Sequence, residues 1–298
     1  MAKRKIIVGS RDSKLAVVQS RLIMAQIQKA HPQLELELLT MKTTGDLMLD
    51  IRLDKVGGKG LFVKELDKAL LEGRIDLSVH SLKDMPMEIP KELPLYAFSK
   101  RENPLDVLIY PQGQDRGNPL LPLGTSSRRR ELQIAPLYPD WEMKSIRGNV
   151  QTRLSKLDKG EFGATVLAYA GLARLGQEDR IGRVFTADEV VPAAGQGILT
   201  VQGRQGEDYS FLACVNDKES QLAAVAERAF IACLEGGCSS PMGAFAQLYG
   251  EELCLSGFYY DEGSNTCKKG KIQGMARDGE ALAAALAKEL KGEVSNGK

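Results

Sequence analysis

Strand and helix signals alternate along the first two-thirds of this 298-residue chain, and this alternation constrains the fold more than any other feature of the sequence. Short apolar runs at residues 5–8, 75–79 and 165–168 are typical of buried strands, and amphipathic segments typical of helices separate them. The alternation predicts α/β domains with largely parallel sheets. Because ligands bind beyond the carboxyl ends of strands in such sheets, we expect the functional site in the loops that follow the strands.

The last third of the chain has a different pattern. Asn216 and Glu219 resemble a capping box that opens a long helix over about residues 217–235. Three short strands near residues 243–249, 252–260 and 266–274 follow it, and then an Ala-rich helix from about residue 279. The charge divides at a similar place, since residues 1–204 carry 31 basic and 25 acidic side chains and the remainder carries 9 and 14. We therefore expect a separate, small and acidic α+β domain.

The composition excludes several classes of protein. With 43% hydrophobic residues, 27% charged residues and a net charge of +1, the chain lacks both the bias of a disordered protein and the basicity of a general nucleic-acid binder. No apolar run approaches the ~18 residues of a membrane span. The apolar run at residues 6–8 is too short for a secretory signal, which predicts a cytoplasmic protein. Five cysteines without CxxC spacing and only two histidines argue against a zinc site and predict free thiols.

The segment at residues 124–130 (GTSSRRR) predicts an anion site. Hydroxyl groups and free N–H groups at the start of a helix attract an anion. Arginines in a first helical turn oppose the helix macrodipole, so they indicate a negatively charged partner. Consecutive helical side chains point about 100° apart, so all three arginines do not address one anion. From this segment alone, a solvated basic turn remains the alternative.

Basic side chains at the start of a helix recur in other loops that follow strands. Arg147 precedes an expected N-cap at Asn149, and Arg153 lies in the first turns of the helix that follows. Further cations in such loops are Lys55, Lys59 and Lys83. Because arginine binds carboxylates in a bidentate manner, several such loops indicate a small molecule with multiple carboxylates. A nucleotide is disfavoured, because the glycine-rich loop at residues 57–60 lacks the spacing of a phosphate loop and no GxGxxG pattern follows the first strand.

Three further side chains are candidates for chemistry. Asp84 is a carboxylate among cations at a strand end, and the alternatives for it are a loop cap or a partner of Lys83. Cys238 follows a glycine pair in a loop after a helix, which leaves its thiol accessible, and the other four cysteines are expected to be inert. His80 is more typical of a packed or capping side chain than of a base. A hydrolase with a Cys–His pair therefore has weak support, because neither histidine has an evident orienting partner.

Taken together, these segments resemble the porphobilinogen deaminase (hydroxymethylbilane synthase) family. The motifs that carry the resemblance occur in the family's order over residues 9 to about 245, and beyond that the match is only in general pattern. They are residues 9–16 (GSRDSKLA), 55–62 (KVGGKGLF), 79–86 (VHSLKDMP), 124–130 (GTSSRRR), 147–154 (RGNVQTRL), 192–197 (PAAGQG) and 234–238 (LEGGC).

The resemblance implies an α/β protein of three domains. The first two are similar to type II periplasmic binding proteins, with the active cleft between them, and the third is a small α+β domain. Domain 1 is discontinuous and comprises residues 1–97 and 196–215, domain 2 comprises residues 98–195, and domain 3 comprises residues 216–298. The resemblance also implies a dipyrromethane cofactor, attached through a thioether to Cys238 of the third domain.

The resemblance implies a transferase that joins four porphobilinogen molecules head to tail, each with loss of ammonia, and then releases hydroxymethylbilane with water. This reaction belongs to tetrapyrrole (haem) biosynthesis. Asp84 takes the catalytic role, in which a carboxylate hydrogen-bonds a pyrrole N–H, stabilises positive charge and moves protons.

The remaining site residues implied by the resemblance divide into three groups. Those that bind the cofactor besides Cys238 are Lys83, Thr125, Ser127, Arg129, Arg130, Arg147 and Ala168. Those that bind substrate are Arg11, Ser13, Arg153, Gln196 and Gly197, and those on a mobile loop are Lys55 and Lys59. No metal ion, nucleic acid or membrane partner is implied, and a monomer is expected.

Three positions depart from the family's usual pattern. Arg128 replaces a leucine and is therefore given no ligand, Gln202 replaces an acidic residue, and residues 239–240 (SS) differ from those that usually follow the cofactor cysteine. Two hypotheses from other classes remain. A non-catalytic carboxylate-binding protein of the same architecture needs the arginines but neither Cys238 nor Asp84. A nucleic-acid binder is disfavoured, because the basic residues are not interleaved with aromatic ones.

Overall fold

A computed structural model describes residues 5–43, 63–236 and 240–292. The backbone divides into two compact units. Unit 1 comprises Met1–Glu102 and Gly197–Gln221, and unit 2 comprises Asn103–Gln196 and Leu222–Lys298. Each unit is therefore assembled from two separate stretches of the sequence.

Unit 1 is built on a five-stranded mixed sheet. In spatial order its strands are β2 (Glu35–Met41), β1 (Lys5–Arg11), β3 (Leu77–Ser81), β10 (Leu199–Gly203) and β4 (Leu95–Phe98). β1 is parallel to β2 and β3, whereas β10 is antiparallel to both β3 and β4. One reversed strand, which comes from a distant part of the chain, thus lies inside an otherwise parallel sheet.

Two helices of unit 1 are described, α1 (Lys14–Ala30) and α2 (Lys64–Leu71). α1 begins where Ser13, as N-cap, accepts a hydrogen bond from the backbone N–H of Ala16 at 3.4 Å. Its apolar side chains at helical spacing, among them Ile23 and Ile27, are buried in one cluster with Val8 of β1. Removal of this apolar surface from water is the main stabilising contribution to the unit.

Unit 2 contains a second five-stranded sheet. In spatial order its strands are β7 (Met143–Lys144), β6 (Leu123–Gly124), β8 (Ala164–Ala168), β5 (Asp106–Ile109) and β9 (Ile181–Val184). β6 is parallel to β7 and β8, whereas β5 is antiparallel to β8 and β9. The helices that follow the parallel strands are α3 (Arg128–Ile134), α4 (Val150–Asp158) and α5 (Tyr169–Arg174).

An antiparallel sheet forms the C-terminal part of unit 2. Its strands are β11 (Gly243–Tyr249), β12 (Glu252–Asp261) and β13 (Thr266–Met275), and its helices are α6 (Lys218–Cys233) and α7 (Gly279–Lys291). Phe230 of α6 and Leu286 of α7 are fully buried. A Cβ atom at Gly257 of β12 would lie 2.5 Å from Phe230 and 3.1 Å from Leu286, so the glycine allows both helices to pack closely on the sheet.

This antiparallel sheet packs on the segment that precedes residue 196 within unit 2. Val191, Phe245 and Phe258 share a buried apolar cluster, against which Tyr260 packs. Lys269 of β13 donates to the backbone carbonyl groups of residues 188 and 189 at 2.8 and 2.7 Å.

Arg128 lies 5.7 Å from the ring centroid of Tyr260 and forms a 2.7 Å ion pair with Glu131. The arginine that departs from the family pattern therefore contacts the third sheet.

The two five-stranded sheets share one strand order. Each has three parallel strands with the first in the middle, then a reversed strand, and then a fourth strand at the edge. The predicted α/β class is confirmed, and so is the small α+β C-terminal part. The two sheets therefore have the same topology, and the likeness of the first two domains to type II periplasmic binding proteins stays what the resemblance implies. The boundaries of the three domains stay a prediction, because the backbone divides into two units.

Two details differ from the sequence expectations. The cap of α6 is Asp217, which accepts a hydrogen bond from the Ser220 N–H at 2.8 Å, and the predicted Asn216 cap is wrong because Asn216 instead accepts from the Phe98 N–H at 3.0 Å. Strands β4 and β9, of 4 residues each, were not predicted. In the part of the chain that the structure describes, no helix is long and apolar enough to cross a membrane.

Candidate functional site

Four of the predicted site residues lie at one edge of the sheet in unit 1. β1 and β3 are parallel, so the residues that follow both strands meet at the same edge. Arg11 ends β1 and Ser13 follows it, while Lys83 and Asp84 form a short 3-10 turn directly after β3. The structure thus brings two cations, a hydroxyl group and a carboxylate to one edge.

The turn that carries Asp84 is anchored by apolar burial. Leu82 and Met85, on either side of the two polar residues, have no exposed surface. Lys83 is half-buried and Asp84 is exposed. No described residue forms a hydrogen bond or an ion pair with the Asp84 side chain, so a loop cap or a pair with Lys83 gains no support from the described contacts. The carboxylate is held on a fixed turn and is open to a ligand.

His80 of β3, two residues before this turn, is a packed side chain. The side chain is buried, and its Nε2 lies 2.8 Å from the Ser78 hydroxyl, which in turn donates to Gln202 Oε1 at 3.3 Å. Burial and the positive charge of Arg11 lower the pKa of His80 to about 4. The imidazole is therefore neutral near pH 7, and the interpretation as a packed side chain is confirmed. Gln202, the departure from the family pattern, belongs to this buried group.

A second group of predicted residues lies at the corresponding edge of the sheet in unit 2. Thr125 and Ser127 follow β6, Arg147 follows β7, and Ala168 ends β8, and these three strands are parallel. The Thr125 hydroxyl accepts a hydrogen bond from the Ser127 N–H at 3.2 Å, which closes the loop before α3. Arg147 is half-buried. Several polar and cationic loops therefore converge at this edge, as the sequence predicted for a carboxylate site.

Arg153 is close to this edge, because α4 begins just after β7. Asn149 is the N-cap of α4, as predicted, and accepts a hydrogen bond from the Thr152 N–H at 2.9 Å. Arg153 Nε donates to the carbonyl oxygen of Gly148 at 2.8 Å. Gly148 has a φ of +112°, which favours glycine, and this turn directs the loop toward the arginine.

Arg129 and Arg130 lie in the first turn of α3 and are buried, with side chains only 5% and 8% exposed. Both contact Asp106, the first residue of β5, which has no exposed surface. Arg129 Nη2 lies 2.8 Å from Oδ2, and Arg130 donates from Nη2 at 2.8 Å and from Nε at 3.1 Å to Oδ1. Part of the negative charge that the arginines indicated is therefore supplied by the chain itself.

The charges of this buried cluster do not cancel. Burial alone would raise the pKa of Asp106, but the two guanidinium groups more than offset it, so that its pKa lies well below the usual range. Burial lowers the pKa of Arg129, while the carboxylate opposes that effect. Among the described residues, two guanidinium groups therefore face one carboxylate, and the cluster keeps a surplus positive charge.

Gln196 and Gly197 lie where the chain passes from unit 2 back to unit 1. Gln196 is 1% exposed, and its side chain donates to Asp106 Oδ1 at 2.9 Å and to the Pro104 carbonyl at 2.6 Å. The carbonyl oxygen of Gly197 accepts from the Glu102 N–H at 3.1 Å. The Gln196 side chain thus contacts the buried cluster of Arg129, Arg130 and Asp106 through Asp106. The sequence motif does not indicate this contact.

Three predicted site residues, Lys55, Lys59 and Cys238, lie outside the described residues. The described cysteines are free thiols, as predicted, and they are Cys214, Cys233, Cys254 and Cys267. Burial raises the pKa of the Cys214 and Cys267 thiols, which lowers the fraction of the reactive thiolate. Within the described ranges, no group of three or more His, Cys, Asp or Glu side chains is placed to hold a metal ion.

Sequence reasoning missed two buried acids. Asp106 begins β5, and its partners Arg129 and Arg130 are 23 and 24 positions away, so no local motif indicates the contact. Glu227 of α6 has no exposed surface and accepts hydrogen bonds at 2.7 Å from the backbone N–H groups of both Gly195 and Ala246. Glu227 therefore ties the helix before Cys238 to the loop that contains Gln196.

The fold defines an α/β protein whose two five-stranded sheets each bear cationic strand-end loops suited to a polycarboxylated small molecule, and the loops of unit 1 also bear one exposed carboxylate. The family model for the porphobilinogen deaminase dipyrromethane cofactor-binding domain matches residues 6–211, and that for the C-terminal domain matches residues 221–292. The chain therefore belongs to the porphobilinogen deaminase family.

Two curated relatives agree with this assignment. The porphobilinogen deaminase of Acetivibrio thermocellus is 55% identical over 286 residues, which cover 96% of this chain and 98% of that protein. That of Ruminiclostridium josui is 52% identical over 292 residues, which cover 98% and 99%. Among solved structures, the effector-binding domain of BenM with benzoate is 17% identical, with 72% of this chain and 90% of that chain covered and a TM-score of 0.42.

The predicted activity is thereby confirmed. The enzyme polymerises porphobilinogen with loss of ammonia in tetrapyrrole biosynthesis, and it uses a dipyrromethane cofactor that is covalently attached to a cysteine. The hypothesis of a non-catalytic binding protein is wrong, because both the cofactor-binding and the C-terminal domain models of the enzyme family match.

Proposed function

We propose that Asp84 is the catalytic residue of this polymerisation, that Cys238 carries the dipyrromethane, and that the strand-end loops of the two units bind the carboxylates. One observation carries the proposal for Asp84. The Asp84 carboxylate is exposed on an anchored turn, beside Lys83 and at the edge of the sheet that also bears Arg11. A group with this placement reaches a ligand without rearrangement of the fold.

The residues of unit 2 fit the cofactor. A buried cluster with two guanidinium groups and one carboxylate lacks one negative charge, and buried charges in proteins are normally paired. A carboxylate side chain of the dipyrromethane would supply it. No described residue accepts a hydrogen bond from Nε of Arg129, which leaves this donor for such a ligand.

The groups proposed to hold the cofactor, besides the Cys238 thioether, are Lys83, Thr125, Ser127, Arg129, Arg130, Arg147 and Ala168. When bound, the dipyrromethane supplies the pyrrole carbon to which the first substrate is joined. The groups proposed to hold porphobilinogen are Arg11, Ser13, Arg153, Gln196 and Gly197, with Lys55 and Lys59 contributed by their loop. Each acetate or propionate of the substrate is an anion that an arginine fork binds through two parallel hydrogen bonds.

Asp84 acts where positive charge develops. When the C–N bond of the substrate's protonated aminomethyl group breaks, ammonia leaves with the electron pair and positive charge spreads onto the pyrrole nitrogen. A carboxylate that accepts a hydrogen bond from this pyrrole N–H stabilises the charge. When the new C–C bond has formed, a proton leaves the pyrrole carbon that was attacked, and a carboxylate within reach accepts it. One exposed aspartate thus serves both steps.

The oligomeric state, the location and the partners of the protein belong to the same proposal. A monomer, which the resemblance implies, is part of this proposal. The cytoplasmic location and the absence of nucleic-acid and membrane partners stay predictions of the sequence.

The Asp84→Ala variant tests the proposal. Because Asp84 is exposed, we expect an unchanged melting temperature, unchanged covalent modification and a fall in turnover of about 10²-fold or more. Asp140→Ala is the matched control, since Asp140 is also exposed but precedes β7 and so lies at the opposite edge of its sheet. Turnover within about threefold of the wild type in folded Asp84→Ala would remove Asp84 from the catalytic role.

A further inference from the structure

We infer that Asp106 is a positioning residue for cofactor binding, which acts by holding Arg129 and Arg130 in the orientation that receives carboxylates. The inference rests on the proposed role of the two arginines. It adds a fully buried residue that acts through these two arginines.

The first argument is geometric. Asp106 has no exposed surface, and each of its two carboxylate oxygens faces a different arginine. Oδ1 accepts two hydrogen bonds from Arg130, at 2.8 and 3.1 Å, while Oδ2 lies 2.8 Å from Nη2 of Arg129. A planar guanidinium that is fixed along one edge has a defined direction for its remaining N–H groups. Asp106 therefore fixes the Arg130 fork through hydrogen bonds and holds Arg129 through an ion pair.

Backbone carbonyl groups complete this orientation. Arg129 Nη1 donates to the Val191 carbonyl at 2.6 Å. Arg130 Nη1 donates to the Val166 carbonyl at 3.1 Å. Carbonyl groups bind a guanidinium but supply no net charge, so they do not replace the carboxylate. Asp106 alone, among the described side chains in contact with the pair, offsets the repulsion between the two cations.

The position of Asp106 is itself fixed. It begins β5 and lies opposite Ala168 in the register with β8, so the backbone of the sheet holds it at the edge where the proposed cofactor residues are. Gln196 donates a further hydrogen bond to Oδ1 at 2.9 Å. The Gln196 side chain, which is 1% exposed, therefore supports Asp106 in addition to the substrate-binding role proposed for this residue.

Replacement of the charge gives a direct test. In Asp106→Asn, two buried cations lose their shared anion and repel each other, so the forks turn away from their present directions. We expect the KM for porphobilinogen to rise about tenfold or more, since misplacement of a binding group by about 1 Å has effects up to ~10²-fold. We also expect a smaller fraction of denatured chains to carry the mass of two pyrrole units. Asp106→Glu, which keeps the charge, should recover part of both.

The matched control is Asp76→Asn. Asp76 is also a partly buried carboxylate bound to an arginine, with Arg204 Nη2 at 3.1 Å, but it precedes β3 and so lies at the opposite edge of its sheet. This variant should lower the melting temperature and leave KM and modification unchanged. If folded Asp106→Asn keeps the wild-type KM and modification, or if Asp76→Asn changes them equally, the positioning role is contradicted.

Two further variants separate this inference from the function on which it rests. If Arg129→Gln and Arg130→Gln both keep wild-type KM and modification, the proposed role of the arginines fails. If they lose binding and Asp106→Asn does not, only the positioning role fails. If Asp106→Asn does not fold, Asp106→Glu decides, because its carboxylate is displaced by one methylene. A KM within twofold of the wild type in Asp106→Glu would then contradict the inference.

Discussion

At the scale of single residues, the sequence was informative where a motif places unlike groups next to each other. Asp84 could be singled out because it follows Lys83 at a strand end, and the structure shows it exposed on an anchored turn. Asp106 could not be singled out, because its partners are 23 and 24 positions away, at Arg129 and Arg130, and only the fold brings them together. The sequence indicated that these arginines need an anion but did not indicate that the chain supplies one.

His80 gives a prediction for the dependence of stability on pH. Its pKa is about 4 in the folded protein, against an ordinary value of 6.5. Between these values the unfolded chain binds a proton that the folded protein does not, so the free energy of unfolding falls as the pH falls from 6.5 to 4. The contribution is about 3 kcal/mol at most, since one pKa unit corresponds to about 1.4 kcal/mol.

His80→Gln removes this titration and retains an amide for the Ser78 contact. Urea unfolding at pH 7 and at about pH 4.5 measures the effect, and the wild type should lose more stability than the variant between the two. Equal losses in both proteins would show that His80 is not held neutral by the fold.

At the scale of helices and strands, periodicity predicted most elements and failed where local pattern is weak. All three strands of the C-terminal sheet and the final helix lie where the sequence predicted them. The 4-residue edge strands β4 and β9 were missed; unlike the fully buried β5 of the same length, both are partly exposed, and β9 also lacks a continuous apolar run. The cap of α6 was misplaced by one residue, since Asn216 and Asp217 are both good caps and only the tertiary contact with Phe98 decides between them.

Gly197 gives a prediction about the segment that precedes β10. Its φ is +91°, and a Cβ atom there would lie 2.2 Å from the carbonyl oxygen of Glu102. Gly197→Ala should therefore lower the free energy of unfolding by about 3 kcal/mol or more, because backbone strain and overlap with another backbone segment add. Gly206→Ala is the matched control, since Gly206 has a φ of +86° but no atom within 4 Å of the added Cβ.

Gly206→Ala should cost only about 1 kcal/mol, the strain of the left-handed backbone alone. Urea unfolding of both variants measures the difference. A similar cost in the two proteins would mean that the close approach to Glu102 does not constrain Gly197.

At the scale of the whole molecule, alternation predicted the class of fold, but the assembly of the unit 1 sheet from two distant stretches was not readable from periodicity. Its reversed strand β10 follows Gln196, whereas its other four strands precede Glu102. Only the resemblance to a known family supplied this discontinuity. The charge division of the sequence agrees with cationic strand-end loops in the first 204 residues and an acidic remainder.

Intact mass spectrometry of the denatured protein tests the central claim most directly. The sequence mass is 32.5 kDa, and we predict a single heavier species that carries two porphobilinogen-derived pyrrole units after loss of ammonia. Peptide mapping should assign the added mass to Cys238, and Cys267→Ser, which alters another free thiol, should leave it in place. A chain made in the presence of porphobilinogen that has only its sequence mass, or that carries the addition on another cysteine, would contradict this account.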